Sequence, residues 1–122
     1  MEAPEPKQPS ADERAVVATA LDYFKGWFHG DEVRMARALH PNLVKRRAGD
    51  ELGITTRERM LELTRQGEGR ADAEDGRLDV EVTGLYGDIA SATVRSAPYH
   101  EYLHLVRTRD GWKTANALWQ PT

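Results

Sequence analysis

The stretch YHEYLHLVRTRDGWKTANALW, residues 99–119, decides how this 122-residue chain folds. Two runs of alternating apolar and polar residues, 99–108 and 112–119, flank Asp110-Gly111, and alternation at period two marks a strand with one buried face. An Asp-Gly pair suits a two-residue turn in which both central φ angles are positive, so the stretch reads as a β-hairpin. With Asp110 and Gly111 as the turn, Arg109 lies opposite Trp112 and the remaining pairs follow. Tyr102, His104 and Val106 then share a face with Ala115, Ala117 and Trp119. Small residues beside two aromatics and a histidine leave concave room, so this face is expected to floor a pocket. The other face would carry Leu103, Leu105, Arg107, Thr114, Asn116 and Leu118. It is apolar enough to need a cover, and a homodimer through the sheet is the expected one.

Working back along the chain, Leu78, Val80 and Val82 alternate toward a Gly87-Asp88 turn, and residues 89–95 form the return strand of a second hairpin. Before residue 76 the period is helical. Ser10 and Glu13 make a capping box, after which Val16, Val17, Ala20, Leu21, Phe24, Trp27 and Phe28 form one broad stripe that Gly30 ends. Asp31 caps a shorter helix that Pro41 prevents from continuing. Residues 43–48 suit a short exposed strand, with the basic run Lys45-Arg46-Arg47 read as a solvated face. Thr55 and Glu58 form a second capping box for a third helix ending at Gly67, and a glycine-rich acidic loop, 67–76, follows. Helices first and an antiparallel meander last give a single α+β domain over 10–122, preceded by a disordered tail, 1–9, that contains Pro4, Pro6 and Pro9.

Composition narrows the function. A net charge of −3 with dispersed basic residues offers no electropositive footprint, so nucleic acid is not an expected partner. The absence of cysteine excludes disulfides, thiolate metal sites and cysteine nucleophiles. No apolar run approaches the roughly 20 residues needed to span a bilayer, and the amino terminus lacks the pattern of a signal peptide, so no membrane partner and a cytoplasmic location are expected. His100 and His104 lie about 13 Å apart on an extended strand, too far for one ion, and Gly67-Glu68-Gly69 lacks the strand and helix of a phosphate-binding loop. Neither a metal nor a cofactor is expected.

Several segments together carry a family likeness. They are Tyr23-Phe24-Lys25-Gly26-Trp27 with Gly30-Asp31, Ala38-Leu39-His40-Pro41, Leu85-Tyr86-Gly87-Asp88-Ile89-Ala90, Tyr102-Leu103-His104-Leu105, Asp110-Gly111-Trp112-Lys113 and Leu118-Trp119. Across roughly residues 12–121 the chain resembles the nuclear transport factor 2-like superfamily, and within it the putative lumazine-binding and SnoaL-like group. The resemblance implies a cone-shaped, cystatin-like fold: three helices on a strongly curved antiparallel sheet, a pocket at the wide end, and usually a homodimer. Ketosteroid isomerases share that fold, and their chemistry needs a carboxylate base opposite oxyanion donors. Carried over by position, the tyrosine donor matches Tyr23, the second donor falls near His104, and the base falls on Arg46 or Arg47. A guanidinium cannot abstract a proton, so steroid isomerisation is not expected.

What remains is a small-molecule-binding domain whose apolar pocket takes a small apolar or aromatic molecule bearing a carbonyl or carboxylate. Tyr23, Trp27, Arg47, Tyr102, His104 and Trp119 are the ligand-binding candidates, and Tyr23 and His104 the catalytic ones. The structural alternative is that the two tryptophans and Tyr102 pack the core while Tyr23 and His104 satisfy neighbouring polar groups. Two other functions stay open: a cofactor-independent isomerase, cyclase or dehydratase that polarises a carbonyl, and a protein-interaction module using the sheet.

Overall fold

The computed structural model describes residues 9–72 and 77–122. The expected tail, apart from Pro9, and residues 73–76 of the expected loop lie outside the described residues. Three helices, α1 (Ala11–His29), α2 (Glu32–Ala38) and α3 (Arg57–Arg65), pack on a six-stranded sheet. Its strands are β1 (Leu39–Arg47), β2 (Gly53–Thr56), β3 (Leu78–Tyr86), β4 (Ile89–Ser96), β5 (Tyr99–Thr108) and β6 (Gly111–Pro121), in the spatial order β2-β1-β6-β5-β4-β3. All neighbours are antiparallel except β1 and β6. The fold is the expected α+β cone.

Local chemistry sets the helix ends. The Ser10 hydroxyl accepts from the Glu13 amide, and Gly30, at φ 65°, closes α1 in the left-handed conformation. Asp31 caps α2 through the Arg34 amide. The third helix is capped one residue later than expected, by Thr56 accepting from the Arg59 amide. Residues 53–56 pair with β1 as a short edge strand that the helical capping pattern hides. The buried stripe of α1, including Val16, Ala20, Tyr23 and Phe24, shares one core with Leu103, Leu105, Ala92 and Val94 of the sheet.

The last hairpin departs from its expected register. Thr108 pairs with Gly111 and Arg107 with Trp112, so Arg109 and Asp110 are the turn residues, while Gly111, at φ 100°, takes the left-handed position after them. This is the three-residue solution with a glycine bulge, and the Thr108 hydroxyl supports it by accepting from the Asp110 amide. Farther along β6, Leu105 pairs with Thr114 but His104 with Asn116, which leaves Ala115 as an inserted bulge residue. The bulge turns Ala117 and Trp119 onto the face of Leu103 and Leu105. That face is the core: Leu103 is 0% and Leu105 2% exposed, and Thr114 is buried with them. Tyr102, at 55% exposure, and the exposed His104 lie on the outer face. The expected pocket floor of Tyr102, His104, Val106, Ala115, Ala117 and Trp119 is therefore split between the two sides of the sheet, and Leu103 and Leu105 do not form an outer apolar face.

Candidate functional site

Three elements meet at one end of the cone to bring buried polar groups together. Tyr23 projects from the inner side of α1. On β1, strand alternation sends Leu43, Lys45 and Arg47 inward and Val44 and Arg46 outward. On β5, Glu101 is in phase with Leu103 and Leu105, so a carboxylate enters the core with 1% exposure. Lys45, whose side chain is 12% exposed, places Nζ 3.1 Å from Glu101 Oε1. Its ammonium lies over the faces of Tyr23 and Trp119, 5.1 Å from each ring centroid.

The pair sits beside a small, partly open cavity of about 90 Å³ lined by residues including Tyr23, Trp27, Lys45, Thr55, Met60 and Trp119. Among the described residues, three buried side-chain polar atoms have no hydrogen-bond partner, and two of them belong to this site: the Tyr23 hydroxyl and Glu101 Oε2. Burial pushes the Tyr23 phenol well above its ordinary range, and the charge and polar proximity of Glu101 push it further. The two groups are thus neighbours that fall short of hydrogen-bond geometry with each other. A polar atom left unpaired in the interior costs about 1–3 kcal/mol, so the Tyr23 hydroxyl, on a residue lining the cavity, marks a place where a guest can bond, and Glu101 is joined to that lining through Lys45.

A second polar chain closes the same region. Trp27 Nε1 donates to the Tyr99 hydroxyl at 3.2 Å, and that hydroxyl donates to Asp72 Oδ2. Asp72 belongs to a 3₁₀ turn, Arg70–Asp72, which is held against α1 at Gly69, where a Cβ would lie 2.5 Å from Trp27 Nε1. Burial, then the bond to Asp72, raises the Tyr99 phenol to about 12. The ring of Tyr99 meets Trp119 edge-on with centroids 5.3 Å apart.

Of the residues expected from sequence, Tyr23, Trp27 and Trp119 line this cavity, and Arg47 stacks on Trp119 from the exposed rim at 5.4 Å. Tyr102 and His104 are not brought to it, because the Ala115 bulge separates their face from Trp119. They border an outer-sheet hollow of about 580 Å³ with Arg46 and Leu118, and His104 also borders one of about 510 Å³ with Tyr86 and Ile89. These hollows exceed that cavity but contain none of the unpaired buried polar atoms, which makes the small cavity the better candidate. Lys45, expected as part of a solvated basic face, is largely withdrawn from solvent in an ion pair, and Glu101 and Tyr99 are site residues outside the expected set. Their signal was the alternation Tyr99, Glu101, Leu103, Leu105, which places a carboxylate in phase with two leucines.

Removing one partner of a buried ion pair leaves an uncompensated charge. Lys45→Met is expected to cost about 3–5 kcal/mol in urea unfolding, and the double change with Glu101→Leu should recover most of that loss. A double variant no more stable than Lys45→Met would show that the two residues are not coupled. Tyr99 gives a pH signature. Because its folded pKa is raised above the ordinary 10, its stabilising contribution is complete below pH 10 and fades as pH rises through about 12. The wild type should therefore lose more unfolding free energy over pH 10–12 than Tyr99→Phe does, and parallel pH profiles would contradict this.

The fold recurs in solved structures. A nuclear transport factor 2-like protein of unknown function from Shewanella baltica superposes with a TM-score of 0.73 at 11% identity, over 96% of this chain and 98% of that one. Another from Silicibacter pomeroyi gives 0.70 at 17% identity, over 89% and 94%. A ketosteroid isomerase-like protein from Erwinia carotovora gives 0.62 at 14% identity, over 92% and 97%. None of the curated proteins matches the sequence. The model of the family described as putative lumazine-binding matches residues 11–120, and the chain belongs to that family.

Proposed function

We propose that the protein is a small-molecule-binding domain whose inner site grips a compact carbonyl or carboxylate group. The observation that carries this reading is the unpaired Tyr23 hydroxyl and the Lys45 ammonium on the wall of one cavity, with Glu101, whose Oε2 is also unpaired, holding Lys45 at 3.1 Å. The phenol and the ammonium are donors suited to a ligand oxygen, and Glu101 Oε2 is an acceptor for a ligand N–H or O–H. A volume of about 90 Å³ matches roughly three waters at about 30 Å³ each and falls below the roughly 150 Å³ cavity known to hold benzene. The cavity therefore suits a ligand's polar head, while a larger apolar or aromatic part belongs at the rim, against Trp119 and Arg47. The isomerase-like name of one structural relative fits the same donors, since polarising a carbonyl begins with holding its oxygen.

Native mass spectrometry of freshly purified protein is the direct test, followed by thermal-shift titration with pyruvate and benzoate. A ligand at ten times its Kd adds about 1.4 kcal/mol and raises Tm by a few degrees. Tyr23→Phe should leave the empty protein as stable or more so, because it removes an unpaired hydroxyl, while weakening the ligand roughly tenfold. Undiminished affinity in Tyr23→Phe would remove Tyr23 from the site.

The outer sheet face supports a partner of its own. Tyr86, Ile89 and Val106 lie in one cross-strand row, and Tyr102 and Leu118 in another, with Tyr86, Ile89 and Leu118 at 84%, 60% and 45% exposure. A twofold axis through this face would cover these side chains with their own copies, so a homodimer is the expected assembly. Light scattering at micromolar concentration should report twice the 13.7 kDa chain mass, falling to one chain in Leu118→Glu. A wild type that stays monomeric would exclude the dimer.

A further inference from the structure

We infer that Lys45 is a reactive amine that condenses with a small aldehyde or ketone in the small cavity, with Glu101 carrying the protons. This deepens the binding reading above and rests on it. Lys45 is the lysine that lines the cavity; Lys113 is partly exposed and bound to the Arg37 carbonyl, and Lys25 is partly exposed on α1. Glu101 holds the ammonium with Oε1 at 3.1 Å and has Oε2 unpaired, so one carboxylate has an oxygen to receive the amine's proton and another to pass it on. The unpaired Tyr23 hydroxyl is the donor available to the carbonyl oxygen.

The steps balance without any further reactant. Glu101 takes a proton from the ammonium, and the freed lone pair on Nζ attacks the carbonyl carbon as the C=O π pair moves to oxygen. Glu101 returns the proton to that oxygen, giving a carbinolamine, and takes a second proton from nitrogen. Delivering that proton to the hydroxyl releases water as the nitrogen lone pair closes the C=N bond. The net change is an ammonium plus a carbonyl giving a protonated imine plus one water. One positive charge is present before and after, so the Glu101 carboxylate and the two ring faces that stabilise the ammonium stabilise the product equally. The volume of about 90 Å³ restricts the carbonyl partner to a few heavy atoms.

The test is reductive trapping on the full chain. Wild type is incubated with acetaldehyde or pyruvate and cyanoborohydride, and the adducts are located by peptide mapping. Trapping at Lys45 should be at least about tenfold faster than at Lys25 or Lys113, and Glu101→Gln should slow it by about 100-fold, within the range for loss of a general acid-base group. Circular dichroism establishes that the variant is folded, and if Glu101→Gln does not fold, Tyr23→Phe takes its place with an expected slowing of about tenfold. Trapping at Lys45 no faster than at the surface lysines, or at the same rate in the folded variant, overturns the inference. Native mass spectrometry with pyruvate alone separates the two readings. Non-covalent retention without trapping at Lys45 overturns the imine chemistry and leaves the binding function standing, whereas neither retention nor trapping removes both.

Discussion

One end of the cone is organised by an ion pair that reaches across an intervening strand. Lys45 is on β1 and Glu101 on β5, with β6 between them, and the residue beside Lys45 on β6 is Ala117. A methyl side chain there leaves a path along which four methylenes can extend to the carboxylate. Trp119, paired with Glu101 on one side and Arg47 on the other, forms the wall of that path. The pair therefore ties β1 to the central strands, with aromatic rings packed around the ammonium. Desolvating both charges is expensive and their attraction offsets that only when the remaining polar atoms are bonded, a condition that Glu101 Oε2 leaves unmet.

Much of this architecture is legible in the sequence. Ser10, Asp31 and Gly30 punctuate the helices, and Gly87-Asp88 and Asp110-Gly111 locate the two hairpins. Side-chain direction in the last hairpin is harder. The displaced turn moves the pairing by two residues and preserves the face relations near it; the inserted Ala115 then reverses them for the rest of β6. Assuming an unbroken register attaches Trp119 and Ala117 to Tyr102 and His104, and the aromatic, cavity-forming character of the inner face is credited to the wrong side of β5. The sequence carries a trace of the bulge. Trp112 and Thr114 are in one alternation phase, Ala117 and Trp119 in the other, and the slip falls between them. A phase change inside a strand is weak beside the strong Asp-Gly signal, so the turn dominates the reading.

Side-chain direction on β1 is hard to read for a related reason. On β1 the three consecutive cations offer three choices, and selecting Arg46 or Arg47 as the inward residue excludes a proton acceptor. The inward side chain beside Tyr23 is Lys45, and the carboxylate arrives from β5 instead. Acid, base and donor roles in such a cavity depend on which strands project into it, and several strands do. The inward direction of Tyr23 is legible, because a helix stripe fixes direction over many turns. Direction is harder to read on β5, where one residue separates Glu101, at 1% exposure, from Tyr102, at 55%.

The cost of this arrangement is local, and that locality bears on function. Elsewhere the core is built from Val16, Phe24, Met35, Leu39, Leu103 and Leu105, groups with no polar atoms to satisfy. Apolar residues of similar volume at 45 and 101 would pack as well and spare the desolvation of two charges. The polar triad is therefore poorly explained as a stabilising device, and the conflict between local and global preference falls beside a cavity with unpaired donor and acceptor atoms. Such conflicts are the expected mark of a site built for something other than folding. The outer hollows differ in this respect, since His104 and Tyr102 are exposed to water there and no comparable strain is relieved by a guest. Burial cost thus separates the two sides of the sheet: the inner cavity suits a ligand that completes its hydrogen bonds, and the outer face suits a partner that covers its apolar side chains.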